Sequence, residues 1–254
     1  MVEQLRYFLN SISFLSILPA GARARLSGRE LSASAAYFPA VGLGIGAVGM
    51  ALALGLERLL PLAAANALVV FYLVVITGGL HLDALADTVD GFAGGKDKAE
   101  RLKIMRRGGI GPLGVAAVTL ALLLKFTFLN ALAAPDRLIA ILAVPALARW
   151  PMVWLAGRLP AARGAGLGSV FASGVKMTEV LAAGLFAGFV CGYVAFRLGW
   201  PFLALAPALT AAALAAEKIN RRFIGGVTGD TLGAMVEISE VLLMAAIGVI
   251  SHYA

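Results

Sequence analysis

Residues 59–91 read LLPLAAANALVVFYLVVITGGLHLDALADTVDG, and this stretch decides what kind of protein the chain is. Its first part, 59–80, carries no charge and is long enough to cross a bilayer as a helix. Directly after it stand Asp83, Asp87 and Asp90, spaced four and three residues apart. That spacing puts all three carboxylates on one helix face. Two carboxylates about 6 Å apart repel by about 3 kcal/mol at an effective dielectric near 20. Three of them at the end of a membrane helix call for a cation. The plain alternative is a solvated acidic helix end, common in soluble proteins. A membrane span on one side and a Gly- and Arg-rich loop on the other favour the cation.

Composition extends this reading to the whole chain. Of 254 residues 61% are apolar and only 14% are charged, where a soluble domain carries about 25% charge. Mean hydropathy is +0.91. Several apolar runs approach or exceed the length of about 20 residues that spans a bilayer, and no segment alternates as a membrane barrel strand must. The expected fold is therefore all-α, a polytopic helical bundle forming a single membrane domain over 1–254. A lone cysteine, Cys191, lies inside an apolar run, so neither a disulfide framework nor a cysteine metal site is available. The N-terminus lacks the pattern of a cleavable signal peptide. In it Leu5, Phe8, Leu9, Ile12 and Leu15 recur at helical spacing, with Glu3, Arg6, Asn10 and Ser13 opposite and Phe14 breaking the pattern. This predicts an amphipathic helix over 1–20, lying on the membrane surface or covering the bundle, ended by Pro19 and Gly21.

Seven spans are expected, at 34–56, 59–80, 112–134, 137–157, 177–199, 200–216 and 231–252. The sixth is short and interrupted by Pro201 and Pro207, so a re-entrant or broken helix is also open. With the N-terminus cytoplasmic, only Arg58, Arg137 and Arg197 fall on the opposite face, and Lys125 and Arg149 lie within spans. The rest of the 21 basic residues, Arg23 and Arg25 among them, are cytoplasmic, a strong positive-inside bias. The net charge of +7 thus reflects topology and phosphate-rich ligands at that face, not nucleic-acid binding. Gly42-x-x-x-Gly46 and Gly184-x-x-x-Gly188 suit close helix packing, and a homo-oligomer is possible.

The dense polar sequence falls into three patches, all at the cytoplasmic face. His81 belongs to the first, beside the aspartates, as a ligand, a base or a plain hydrogen-bonding residue. The second is GGKDKAERLKIMRRGGIGPLG, residues 94–114. Gly95 and Gly111 free the backbone for close approach to a ligand, and Lys98, Arg101, Arg106 and Arg107 supply donors for phosphate oxygens. Pro112 stands where a helix would begin, and a helix N-terminus suits an anion. A basic loop held by lipid headgroups is the plainer reading. Next to the carboxylates, the patch becomes a metal-plus-phosphate arrangement of the kind used for phosphoryl transfer. The third patch is GGVTGDTLGAMVEISE, residues 225–240. There Asp230 is a candidate metal ligand or base and Thr228 a candidate substrate contact. Glu237 shares a face with Asp230, and Glu240 lies about 80° away. Both glutamates are candidates either for chemistry or for pairing with Lys125 or Arg149 inside the bundle. Arg149 is a buried counter-ion or a phosphate clamp.

These motifs resemble those of a known family. TGGLHLDALADTVDG looks like the HxDGLADxxDG signature of the cobalamin synthases, the adenosylcobinamide-GDP ribazoletransferases. YFPAVG at 37–42, RLKIMRRGGIGPLG at 101–114, PALARW at 145–150 and GVTGDTLGA at 226–234 resemble further blocks of that family, in order. Ala84 departs from the usual glycine, and RRGG at 106–109 departs from the polar pattern before the Ile-Gly pair. The resemblance implies the last assembly step of the cobalamin nucleotide loop. A ribose hydroxyl of α-ribazole, or of its 5′-phosphate, attacks the cobinamide-side phosphate of adenosylcobinamide-GDP, and GMP leaves. It also implies Mg²⁺ and a bacterial or archaeal cytoplasmic (inner) membrane. In those terms Asp83, Asp87 and Asp90 would hold Mg²⁺, and Asp90 or Asp230 would take the hydroxyl proton. Basic residues of 96–107 would hold the guanylate phosphates. A CDP-alcohol phosphotransferase is the alternative, since Asp87-x-x-Asp90-Gly91 matches the opening of its DxxDG motif, but Gly94 and Gly95 stand where that motif needs Ala-Arg. A cation-coupled transporter fits less well: the carboxylates sit at a mouth and no inverted repeat is visible.

Overall fold

The computed structural model describes residues 2–20, 28–164 and 167–253, so Gly21, Arg23 and Arg25 lie outside the described residues. The helices are α1 (Val2–Leu15), α2 (Gly28–Ala33), α3 (Phe38–Leu56), α4 (Leu62–Ile76), α5 (Leu80–Gly94), α6 (Lys98–Ile104), α7 (Pro112–Ala131), α8 (Asp136–Leu147), α9 (Arg149–Arg158), α10 (Leu167–Gly174), α11 (Met177–Leu198), α12 (Leu205–Ile224) and α13 (Gly229–Tyr253). Among the described residues the only β pairing is one isolated bridge, Ala161 with Val227. Six helical stretches are long and apolar enough to cross a membrane, and α4 with α5 makes a seventh if that bent pair counts as one. The chain is a polytopic helical membrane protein. Large apolar side chains such as Leu185, Phe189 and Phe196 point outward, as a lipid-facing surface allows.

At the centre runs the α8–α9 span. From Ile139 to Ala148 every residue but Leu142 is buried. Helix α3 packs directly on α8 because Gly42 and Gly46 offer no side chain at the contact. A Cβ at Gly46 would lie 2.1 Å from the Leu142 carbonyl oxygen, and one at Gly42 would lie 2.3 Å from that of Pro145. The first small-residue motif is thus a packing seam. The second is half of one, since Gly184 abuts Trp150 while Gly188 faces open space. Gly46→Val is therefore expected to lower thermal stability in detergent by about 1–3 kcal/mol through overpacking. Gly44, with nothing near it, tests the specificity: Gly44→Ala should be neutral or mildly stabilising. Equal melting temperatures for the two variants would overturn the seam.

Two elements differ from expectation. The span expected over 59–80 ends at Ile76, and α5 departs from α4 at 83°. Gly78 and Gly79, at φ +63° and +69°, supply left-handed backbone at the corner. The aspartates therefore sit on a separate helix that lies across the first turns of α13 and α7, not at the end of a membrane helix. The sixth stretch extends beyond 216: a 3₁₀ turn over Trp200–Ala204 runs into α12, which continues to Ile224. Pro201 and Pro207 fall in the opening turns of these two segments, where the missing N–H has no partner to lose.

Helix α1 covers the bundle, packed on α2 and α3. Of its expected apolar face, Leu15 is fully buried and Phe8 and Ile12 pack against the core, while Leu5 is exposed; Asn10, Ser11 and Ser13 are buried beside them.

Candidate functional site

One end of the bundle gathers the segments that join α4 to α5, α6 to α7, α9 to α10 and α12 to α13. Backbone bonds tie the last two together: Ala162 N–H donates to the Val227 carbonyl at 2.8 Å, and Val227 N–H donates to that of Pro160 at 2.9 Å. Here α5 crosses α13 at close range, because Gly233 faces Ala84. A Cβ on Gly233 would stand 2.6 Å from the Ala84 methyl. The alanine at the family's usual glycine position is thus spent on this crossing.

The crossing brings Asp230, at the start of α13, to the carboxylates of α5. Asp83 and Asp230 both line a cavity of about 620 Å³. Asp87 feels the negative charges of both Asp83 and Asp230 and the positive charge of Arg163. Three carboxylates from two helices therefore share one locale. Thr228 orients one of them. It is the N-terminal cap of α13, its Oγ1 accepting the Thr231 N–H at 3.2 Å, and that hydroxyl also donates to Asp230 at 3.3 Å.

Asp90 points elsewhere. Its carboxylate accepts the Gly111 N–H at 2.6 Å and the Gly114 N–H at 2.8 Å. It caps the start of α7 from a neighbouring helix, and Gly111 and Gly114 are the residues that leave room for it. The remaining basic loop divides similarly. Arg101 donates to the Phe223 carbonyl at 3.1 Å and lies 4.4 Å over the Phe223 ring, closing the end of α12. Gly95 lets α6 fold back against its own helix end, since a Cβ there would meet the Arg101 backbone. Lys98 reaches Gly225. Arg106 and Arg107 are exposed.

Arg163 is the site residue that sequence reasoning passed over except as a topology marker. It forms an ion pair with Asp230 at 3.2 Å and donates to the Leu102 carbonyl at 3.3 Å. With Lys103 and Arg106 it lines a second cavity of about 280 Å³. A signal existed: like the 94–114 patch, residues 157–168, GRLPAARGAGLG, set basic side chains among glycines.

Deeper in the bundle the glutamates of α13 are paired. Lys125 donates to Glu237 and, at 2.6 Å, to Glu240, and Arg149 lies 3.7 Å from Glu240. All four residues are 1–5% exposed. Arg149 also donates to the Pro145 carbonyl, so it is placed as a buried counter-ion. His81 links the two regions. It lines the cavity of Asp83 and Asp230, is 2% exposed, and its Nε2 has no hydrogen-bond partner.

Comparison with known proteins places the chain in a family. The cobalamin-5-phosphate synthase family model matches residues 7–248. The chain belongs to that family. Among its relatives are proteins named adenosylcobinamide-GDP ribazoletransferase from several bacteria. That of Geotalea daltonii is 34% identical over 94% of this chain and 96% of its own. That of Syntrophobacter fumaroxidans is 36% identical over 94% and 97%, and that of Pseudomonas syringae pv. syringae is 33% identical over 96% and 99%. No solved structure matches. Within the cobalamin-5-phosphate synthase frame, every residue of the two cavities falls inside the matched range.

Proposed function

We propose that the chain joins α-ribazole, or its 5′-phosphate, to adenosylcobinamide-GDP with release of GMP, as its relatives are named for doing. The observation that carries the site is the meeting of Asp230 with Asp83 and Asp87, with Arg163 paired to Asp230. The donors there are all carboxylate oxygens, which suits a hard cation such as Mg²⁺. Mg²⁺ is usually held by one or two protein carboxylates, with substrate phosphates and water completing its shell. Among the described residues no three acidic, histidine or cysteine side chains form a metal-binding group by themselves, so the proposed Mg²⁺ would need substrate oxygens in its shell. Bound there by Asp83 and Asp87, Mg²⁺ would offset charge on the diphosphate and on departing GMP.

The protein's own groups do the rest. Arg163, Arg106 and Lys103 bind phosphate oxygens of the guanylate portion. The acceptor hydroxyl oxygen bonds to the cobinamide-side phosphorus as the bond from that phosphorus to the GMP oxygen breaks, and the hydroxyl proton passes to Asp230. With the basic residues concentrated at this end, the site faces the cytoplasm from a bacterial or archaeal inner membrane. Purified protein supplied with Mg²⁺, adenosylcobinamide-GDP and α-ribazole should release GMP, lose activity on chelation and regain it with Mg²⁺. CMP release from CDP-diacylglycerol and an alcohol, without GMP release in the first assay, would transfer the chain's chemistry to phospholipid synthesis.

A further inference from the structure

The cavity lined by Asp83 and Asp230 has a chemistry that the transfer of a phosphoryl bridge does not by itself explain. Its walls are Phe14 and Ile17 at the end of α1, Leu31 of α2, Met152 of α9, Phe171 of α10 and Leu232 of α13, while Asp83 and Asp230 also line it. An apolar chamber lined at one side by carboxylates takes a molecule that is apolar at one end and hydroxylated at the other. Resting on the proposed reaction, the parts to be housed are a corrinoid, a diphosphate, a guanosine and the acceptor nucleoside. A cavity of about 620 Å³ is of the size that encloses a drug-sized ligand, which excludes the corrinoid. The diphosphate and the guanosine are too polar for walls of this kind. Only the acceptor's flat heterocycle is both small and apolar.

The walls add a specific fit. Phe14, Phe38 and Phe171 form a stacked group, with centroids 5.3–5.5 Å apart and ring planes within 23° of parallel. Phe14 and Phe171 both line the cavity, and Phe14, the only one of the three that is not fully buried, offers the edge of this aromatic cluster to a flat ring. His81, with its unpartnered Nε2, also lines it and is placed to serve a ring nitrogen. A lipid acyl chain would match the apolar walls, but its phosphate headgroup would meet Asp83 and Asp230 at like charge.

We propose that this cavity binds the planar aromatic base of the acceptor nucleoside and thereby sets its ribose hydroxyl at the Asp83–Asp230 side. The diphosphate then lies by Arg163, which pairs with Asp230 and lines the second cavity.

The test uses full-length protein in detergent and follows GMP release while each substrate is varied. Free benzimidazole should inhibit competitively against α-ribazole and not against adenosylcobinamide-GDP. Phe14→Ala should raise KM for α-ribazole about tenfold, as loss of a stacking partner implies, leave KM for adenosylcobinamide-GDP within twofold, and be rescued by Phe14→Trp. The assignment fails if benzimidazole competes with adenosylcobinamide-GDP, or does not inhibit while a fatty acid does, or if both KM values rise together. Should Phe14→Ala not fold, the inhibition pattern of the unsubstituted protein decides alone. Wild-type protein that releases no GMP with both substrates present would instead overturn the transfer reading itself, and the assignment with it.

Discussion

Asp83→Asn and Asp87→Asn proteins are expected to fold in membranes as the parent does and to release GMP about 10³-fold more slowly. The change keeps the shape of the side chain and removes one negative charge. Among the described residues neither aspartate has an ion-pair partner, so folding loses nothing that depends on that charge. What is lost is one of the anions that hold Mg²⁺ against the diphosphate. Lewis-acid stabilisation is worth several kilocalories per mole, and about 4 kcal/mol corresponds to about 10³ in rate. Asp90→Asn provides the contrast. Its two oxygens already serve the Gly111 and Gly114 N–H groups, and an asparagine oxygen can keep one of those bonds. The expected result is a stability loss of about 1 kcal/mol, of the size seen for helix caps, with turnover reduced far less. Rates of GMP release read beside melting temperatures separate the cases. Near-normal turnover of Asp83→Asn would sink the metal assignment. A folded Asp90→Asn protein as inactive as the other two would put Asp90 back among the ligands.

That contrast marks how far the sequence could be read. Helical spacing says which residues share a face, and it grouped Asp83, Asp87 and Asp90. It cannot say which other helix lies against that face. Asp90 is turned to Gly111 and Gly114, and Asp230 arrives from the last helix through a crossing that depends on Gly233. The charge of the basic loop was legible too, but Arg101's partner is the Phe223 ring and carbonyl, brought near by folding alone. Arg163 was hidden for the same reason. The count of spans followed from hydropathy, whereas the 83° corner after Ile76 did not: paired glycines permit a turn without specifying its angle. Helix α1 takes one of the two placements its pattern allowed, covering the bundle with Phe8, Ile12 and Leu15 on the core, but Asn10 and Ser13, expected outward, are also buried, because small polar side chains suit close helix packing. The internal pairing of Glu237 and Glu240 was legible, because charged groups within spans demand partners and Lys125 and Arg149 were the cations available.

Lys125→Met is expected to be the most damaging substitution for folding in the bundle. Lys125 is the hydrogen-bonded cation for both Glu237 and Glu240, all three being 5% exposed or less. Without it, Arg149 remains near Glu240 at 3.7 Å, and Glu237 is left with a buried charge and no hydrogen-bonded cation. Breaking one side of a buried ionic group costs about 3–5 kcal/mol, which for a chain of this size lowers the melting temperature by about 10 °C. Adding Glu237→Gln to Lys125→Met removes the orphaned charge and should recover about half of that loss, because Glu240 retains Arg149. Thermal unfolding and the yield of monodisperse protein in detergent measure both effects. Turnover per folded molecule should stay within about fivefold of the parent, since Lys125 lines neither cavity and sits two helical turns or more beyond Asp230 along α13 through its glutamate partners. A Lys125→Met protein that folds normally and has lost turnover would show that the buried cluster works in the chemistry and not in holding α7 to α13.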